Sequence, residues 1–347
     1  MKQLGITEMA HPLFDKYKPA TPISTIARPT DTLSEIMKIY ESLLHESQFN
    51  SANASGLTSH PREYKEKLDA ISGSLTPGEI QHFLNITTPF ENEIQYQNIT
   101  GILTSYLIQR SHDAGHNTFT LNCHGTKPIN NLCRGIIMQP GRDLRVLLLG
   151  EVGTATAMQT TGGTYYIEST GSWLGYGAHN LTLYCERATN NAGNALKGVN
   201  MYLQHAGGFC GNNINLDPIN PSSPHTTFYA QNLGDNCFDH SVNVTCILHK
   251  VGAYSFSNAS DCQVYVNEIG NKPGEEGHSV SFYSSSFNPL QSIIDSMIST
   301  HRIPLEQLHL VQEIPFTFIT EEEWNTQWEK AEAGFAHLQD VLKRGFL

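Results

Sequence analysis

The sequence predicts an α+β protein with a helical N-terminal region, a central, mostly antiparallel or mixed β-sheet region, and a helical C-terminus. Three observations lead there. From about His116 to Ser285 roughly a tenth of the residues are charged, against roughly a fifth in the flanks. That middle is rich in Gly, Asn, Thr, Ser and Tyr, which suits strands joined by tight turns. The flanks carry helical periodicity and capping boxes instead. The implied organisation is a helical region with an extended arm over residues 1–115, a β-rich domain over 116–288, and C-terminal helices packing on the core over 289–347.

The elements follow in order. Pro12, Pro19 and Pro22 mark the arm before about Ser24. Thr32-Leu33-Ser34-Glu35 is a capping box, after which Ile36, Met37, Tyr40, Leu43 and Leu44 share one helical face. Pro61 opens a second helix with the stripe Tyr64, Leu68 and Ile71, ended by Gly73. Thr76-Pro77-Gly78-Glu79 caps a third, with Ile80, Phe83 and Leu84 inside. Ile99, Ile102, Leu103, Tyr106 and Leu107 mark a fourth.

The period then changes. Phe119 and Leu121 alternate with polar neighbours, and strands are expected at 144–149, 164–167, 181–185, 199–203, 226–230, 242–248, 262–266 and 280–283. Gly162-Gly163, Gly207-Gly208 and Asn271-Lys272-Pro273-Gly274 are the turns. No repeat of constant period is evident. One helix is expected within this stretch, at 191–197. Helices therefore do not alternate with strands, which favours an antiparallel or mixed sheet over a doubly wound one. Beyond it, Ile293, Ile294, Met297 and Ile298 form a stripe, and a short apolar strand is expected within 308–319. Thr320-Glu321-Glu322-Glu323 caps a last helix with Trp324, Trp328, Ala331, Phe335, Leu338 and Leu342 on one seam, and Gly345 at its end.

The chain has 347 residues and a formal net charge of -12. An acidic surface repels phosphates, so neither nucleic acid nor an anionic membrane is an expected partner. No apolar run is long enough to span a bilayer, and the first residues lack the apolar core of a secretory signal. The reading is a cytoplasmic or leaderless delivered protein of effector-like composition. The seven cysteines include no C-x-x-C pair, so most are expected to be reduced thiols, with neither a disulfide framework nor structural zinc.

Chemistry is sought first at His124 and Cys185. The segment 118–125 is an apolar strand ending in His-Gly, and 180–186 is a strand ending in Cys. A thiol needs a nearby base to become a thiolate at neutral pH, and a neutral imidazole supplies one. Gly125 lets backbone N–H groups approach an oxyanion. These two motifs resemble the caspase-like cysteine peptidases, including the autoprocessing domains of large bacterial toxins. The resemblance implies His124 as base and Cys185 as nucleophile, with 191–197 and 199–203 as the helix and strand that follow the nucleophile. The plainer reading makes Cys185 a packed strand thiol and His124 a turn residue.

Shorter motifs point elsewhere. Cys210, His278 and Asn288 stand in the order of papain-like enzymes and resemble pieces of that pattern. Asp235-Asn236-Cys237-Phe238-Asp239-His240 resembles part of the ovarian-tumour deubiquitinase motif, and Leu132-Cys133-Arg134-Gly135 the arginine strand of ADP-ribosyltransferases. His112, Asp113, His116 and His124 are the one set with metal-ligand character, broken by Gly115. No phosphate loop or dinucleotide fingerprint is present, and no cofactor or metal is expected. The functional expectation is a cysteine-dependent hydrolase acting on a protein or peptide through Cys185 and His124. The alternative is a non-catalytic β-rich binding module for a protein or glycan partner, effector-like or toxin-like in character.

Overall fold

In the computed structural model, the described residues are 31–45, 66, 69–70, 73–215, 225–270, 273, 280–285 and 316–346. Each of the nine central strands expected from sequence forms. They are β1 (Thr118–Asn122), β2 (Arg145–Val152), β3 (Thr164–Thr170), β4 (Thr182–Ala188), β5 (Asn200–Ala206), β6 (Thr226–Asn232), β7 (Val244–Val251), β8 (Gln263–Ile269) and β9 (Ser281–Ser284); β10 (Phe316–Phe318) follows.

The sheet they build corrects the expected antiparallel or mixed arrangement. All ten strands lie in one sheet in sequence order, and every pairing is parallel. The chain returns to the same edge after each strand, which makes a β-solenoid. A period that the sequence reading passed over sets the coil. Tyr165, Leu183 and Met201 pair at intervals of 18 residues, as do Phe228, Cys246, Val264 and Phe282. Between Met201 and Phe228 the interval is nine residues longer, and that insertion breaks the period.

Alternation along each strand sorts side chains to two faces. Val146 and Leu148, Tyr165 and Ile167, Leu183 and Cys185, Met201 and Leu203, and Phe228 and Ala230 point into the coil and form one continuous core. The residue between each pair points outward. Tyr166, Tyr184, Tyr202 and Tyr229 stack there, with ring centroids 5.0, 4.6 and 4.4 Å apart.

The C-terminal helix, α4 (Glu321–Arg344), covers that outer row. Thr320 caps it through a complete capping box with Glu323, as expected from the sequence. Leu338, Val341 and Leu342 pack on Leu147 and Tyr166, while Ala331 and Phe335 pack on Ile247. His337 Nε2 lies 2.9 Å from the Tyr166 hydroxyl, and Trp328 meets His249 on β7. The helix thus crosses the strands and runs back towards β2. Its 24 residues span ~36 Å, enough for six rungs at ~4.8 Å each. Gly334 sits where a Cβ would land on the ring of Tyr202.

Helices α2 (Pro77–Thr87) and α3 (Tyr96–Asp113) pack against the first coil, and α1 (Asp31–His45) packs on them through buried Tyr40, whose ring meets Phe83 and whose hydroxyl lies 2.9 Å from that of Thr100. An open sheet edge is a template for unwanted pairing. Two glutamines fill it here with side-chain amides. Gln81 of α2 bonds both the N–H and the carbonyl of Asn122, at 2.6 and 3.2 Å. Gln109 of α3 does the same for Ile137, at 2.7 and 3.1 Å. The Pro61 helix stripe (Tyr64, Leu68 and Ile71), the 293–298 stripe and most of 308–319 fall outside the described residues.

The helix expected at 191–197 is also corrected, because that segment is the loop side of a coil. Left-handed residues alternate there with ordinary ones: Trp173, Gly175 and Gly177; Asn191, Gly193 and Ala195; Phe209, Gly211 and Asn213. The alternation turns successive N–H groups towards opposite neighbours. Trp173 donates to Asn190 of the next coil at 3.2 Å, Gly175 to Thr156 of the previous coil at 2.8 Å, and Gly177 to Asn194 of the next at 2.9 Å. Side chains tie the same face. Asn194 Oδ1 accepts the Asn212 N–H, and Asn212 Oδ1 accepts the Asp239 N–H, each at 2.9 Å.

Candidate functional site

The structure does not bring His124 and Cys185 together. His124 follows β1, while Cys185 lies on β4, with β2 and β3 between them. Three rungs separate the two strands by ~14 Å. The side chains also differ in environment. Cys185 points into the coil with no exposure, its Sγ donates to the Arg187 carbonyl at 3.2 Å, and burial pushes its thiol well up. A thiol held protonated inside a packed core is a poor nucleophile.

The His124 ring is partly exposed and meets Glu168 instead, with Nε2 3.3 Å from Oε2. Glu168 stands on β3, largely buried, and also accepts the Gly150 N–H at 2.8 Å. That contact falls at the irregularity of β2 between Leu148 and Glu151. Asn122 Oδ1 holds the His124 N–H at 3.0 Å. The pairing rests on a bulge, for which the sequence carries no clear mark.

The other motifs disperse in the same way. Cys210 and Cys237 occupy equivalent buried positions on successive coils, each thiol donating to a backbone carbonyl at 3.3 Å. His278 and Asn288 lie outside the described residues. Arg134 is part-buried and bonds Asn131 Oδ1 at 3.1 Å. His112 is fully buried, its ring contacting the His116 carbonyl and the Gln139 N–H at 3.1 and 3.3 Å. Among the described residues, no three His, Cys, Asp or Glu side chains converge as metal ligands, and all seven cysteines are free and buried.

The loop side of the solenoid holds a different constellation. One equivalent position on six successive coils carries Ala155, Trp173, Asn191, Phe209, Asn236 and Tyr254. Backbone bonds from Ala155 to Ser172, Trp173 to Asn190, Asn191 to Gly208, Phe209 to Asp235 and Asn236 to Ala253 fix them on adjacent rungs. Trp173, Phe209 and Tyr254 are 40%, 50% and 44% exposed. They stand on alternate rungs, so successive aromatic positions are ~9.6 Å apart. Tyr176 packs edge-on against Trp173 at 5.4 Å.

Two costs attend each aromatic. Trp173, Phe209 and Tyr254 have φ of 66°, 60° and 54°, in the left-handed region that bulky residues avoid. Asn191 and Asn236, on the rungs between, have φ of 58° and 56°, and asparagine tolerates that conformation well. The fold is therefore satisfied by asparagine at this position. Phe238 and Phe256, also left-handed, are fully buried and gain packing in return, whereas the three row aromatics stand in water.

The strip around the row is nearly uncharged. Segments 171–177, 189–195, 207–213, 234–240 and 252–258 contain no lysine or arginine, and their only carboxylates are Asp235 and Asp239. Asp235 accepts the Ala253 N–H at 2.7 Å, and Asp239 pairs with His240 at 2.9 Å. Among the described residues, no helix is long and apolar enough to cross a membrane. Sequence reasoning missed this row because its signal is the 18-residue period itself: Trp173, Asn191 and Phe209, then Asn236 and Tyr254, fall on it. Comparison of the chain with protein-family models, with curated proteins and with solved structures gives no match.

Proposed function

We propose that this chain is a binding module whose loop face takes an elongated, uncharged glycan along the solenoid axis. The observation that carries the reading is the row of Trp173, Phe209 and Tyr254, exposed on alternate rungs at positions where the fold is equally served by asparagine. Aromatic faces exposed in a regular line offer flat apolar surface to the C–H faces of sugar rings, and the interleaved amides offer donors and acceptors to hydroxyls. Charge favours the same class, because a polyanion finds no cation on the strip. No catalytic step is needed for this role.

Affinity electrophoresis through gels containing neutral polysaccharides tests it. The intact chain is expected to be retarded, and the triple variant Trp173→Ala, Phe209→Ala, Tyr254→Ala to migrate freely with an unchanged melting temperature. Unretarded migration of the intact chain in every neutral polysaccharide sinks the reading.

A further inference from the structure

Building on the glycan reading, we infer that the ligand is a β-1,4-linked chain of neutral hexopyranoses, bound with two sugar units per pair of rungs so that every second ring meets an aromatic side chain. The first support is spacing. Trp173, Phe209 and Tyr254 stand two rungs apart, and the rungs are set by backbone hydrogen bonds rather than by flexible side chains. That fixes an interval of ~9.6 Å, twice the strand spacing. In an extended β-1,4 chain each sugar is rotated by half a turn relative to the last. The same ring face therefore recurs at every second unit, over a closely similar distance. An α-1,4 chain coils and presents no such straight repeat.

The second support is the alternation of residue types. Asn191 and Asn236 occupy the rungs between the aromatics, so an amide stands opposite each sugar that turns its other face. Asn213 and Asn258 add exposed amides four residues beyond Phe209 and Tyr254 on the same coils. The third support is charge. The strip lacks the cations that an acidic polysaccharide needs, and its two carboxylates are already engaged by Ala253 and His240.

The geometry sets the length of the site. From Trp173 to Tyr254 is four rungs, ~19 Å, which covers a run of five sugars with contacts at the first, third and fifth. Affinity should therefore climb from the disaccharide to the pentasaccharide and then level off. Phe209, at the centre, is touched by every chain that spans two aromatics, whereas Trp173 and Tyr254 are engaged together only by chains of five units or more.

The test is calorimetric titration of the full chain with cellobiose, cellotetraose, cellopentaose and cellohexaose, and with maltohexaose as the α-linked control. The expected result is rising affinity up to five units, equal affinity at five and six, and no measurable binding of maltohexaose. Phe209→Ala should weaken cellohexaose about tenfold or more. Trp173→Ala and Tyr254→Ala should each bring cellohexaose down to the affinity of the tetrasaccharide. Equal binding of cellohexaose and maltohexaose overturns the linkage, and so does affinity that ignores chain length. In either case, retardation by neutral polysaccharides would leave the broader glycan reading standing. No retardation by any of them removes both.

Discussion

On the sheet face, Tyr166, Tyr184, Tyr202 and Tyr229 stack in register beneath α4; on the loop face, Trp173, Phe209 and Tyr254 stand in solvent. Both rows arise from one period, and each is set out by backbone pairing between coils. They differ in what covers them. The tyrosine row gives α4 an apolar track, and α4 answers with Ala331, Gly334, Phe335 and Leu338. The second row lies under no helix among the described residues and keeps about half of its surface in solvent, with Tyr176 edge-on against Trp173. An aromatic ladder under a helix is explained by stability alone. One left half exposed, at a strained backbone position, is the feature that the proposed glycan reading accounts for.

The largest effect expected from this contrast is at Gly334. Replacing glycine by alanine inside a helix ordinarily stabilises by about 1 kcal/mol. Here the added Cβ meets the ring of Tyr202, which is held between Tyr184 and Tyr229 at 4.6 and 4.4 Å and cannot swing aside. Gly334→Ala should therefore destabilise, by about 2 kcal/mol or more, with the strain of an overpacked contact, about 3 kcal/mol, outweighing the helix gain. Urea denaturation followed by tryptophan fluorescence reads the sign directly. A stabilised Gly334→Ala would mean that α4 does not seat on the tyrosine row.

The loop face has its own source of stability, and it is not the aromatic row. Asn212 is largely buried, receives from Asp239 at 2.9 Å, and donates its N–H to Asn194. Asn212→Ala leaves the Asp239 N–H without its acceptor and should cost about 2 kcal/mol. Thermal unfolding monitored by circular dichroism measures it, and an unchanged midpoint would show that the ladder is dispensable.

These elements also mark what sequence can and cannot convey. Helix ends were legible because capping is local: Thr76 with Glu79, and Thr320 with Glu323, form as their spacing requires. Strand positions were legible because alternation is local as well. Sheet direction was not, since short, evenly spaced strands with turn residues between them suit antiparallel hairpins equally well. The deciding clue was the return of tyrosine at 166, 184 and 202 and again at 229, 265 and 283, masked by the nine-residue insertion between the two sets. The helix expected at 191–197 failed for a related reason. Its Asn and Gly residues serve left-handed positions in a hydrogen-bonded loop, which no helical periodicity describes. For the candidate site, the strand-end motifs found the right strands but not their ends: His124 falls two residues beyond β1, and β4 runs three residues past Cys185. Their separation depended on how many rungs lie between, which only the sheet order reveals.

The smallest stability change, and the sharpest separation of the two faces, is expected from replacing the exposed aromatics with the residue that the intervening rungs already use. Trp173→Asn, Phe209→Asn and Tyr254→Asn keep the left-handed backbone and remove side chains that are about half in water. Asparagine relieves backbone strain at such a position, while the aromatic forfeits some partial packing, as between Trp173 and Tyr176. The two terms are of similar size and opposite sign, so each variant should stay within about 0.5 kcal/mol of the parent. The same exchange on the sheet face, Tyr202→Asn, removes a ring stacked on both sides beneath α4 and should cost several times more. Chemical denaturation of the four variants under one set of conditions makes the comparison. If the loop-face variants lose as much as Tyr202→Asn, the open row is a structural ladder like its counterpart, and its exposure needs no ligand to explain it.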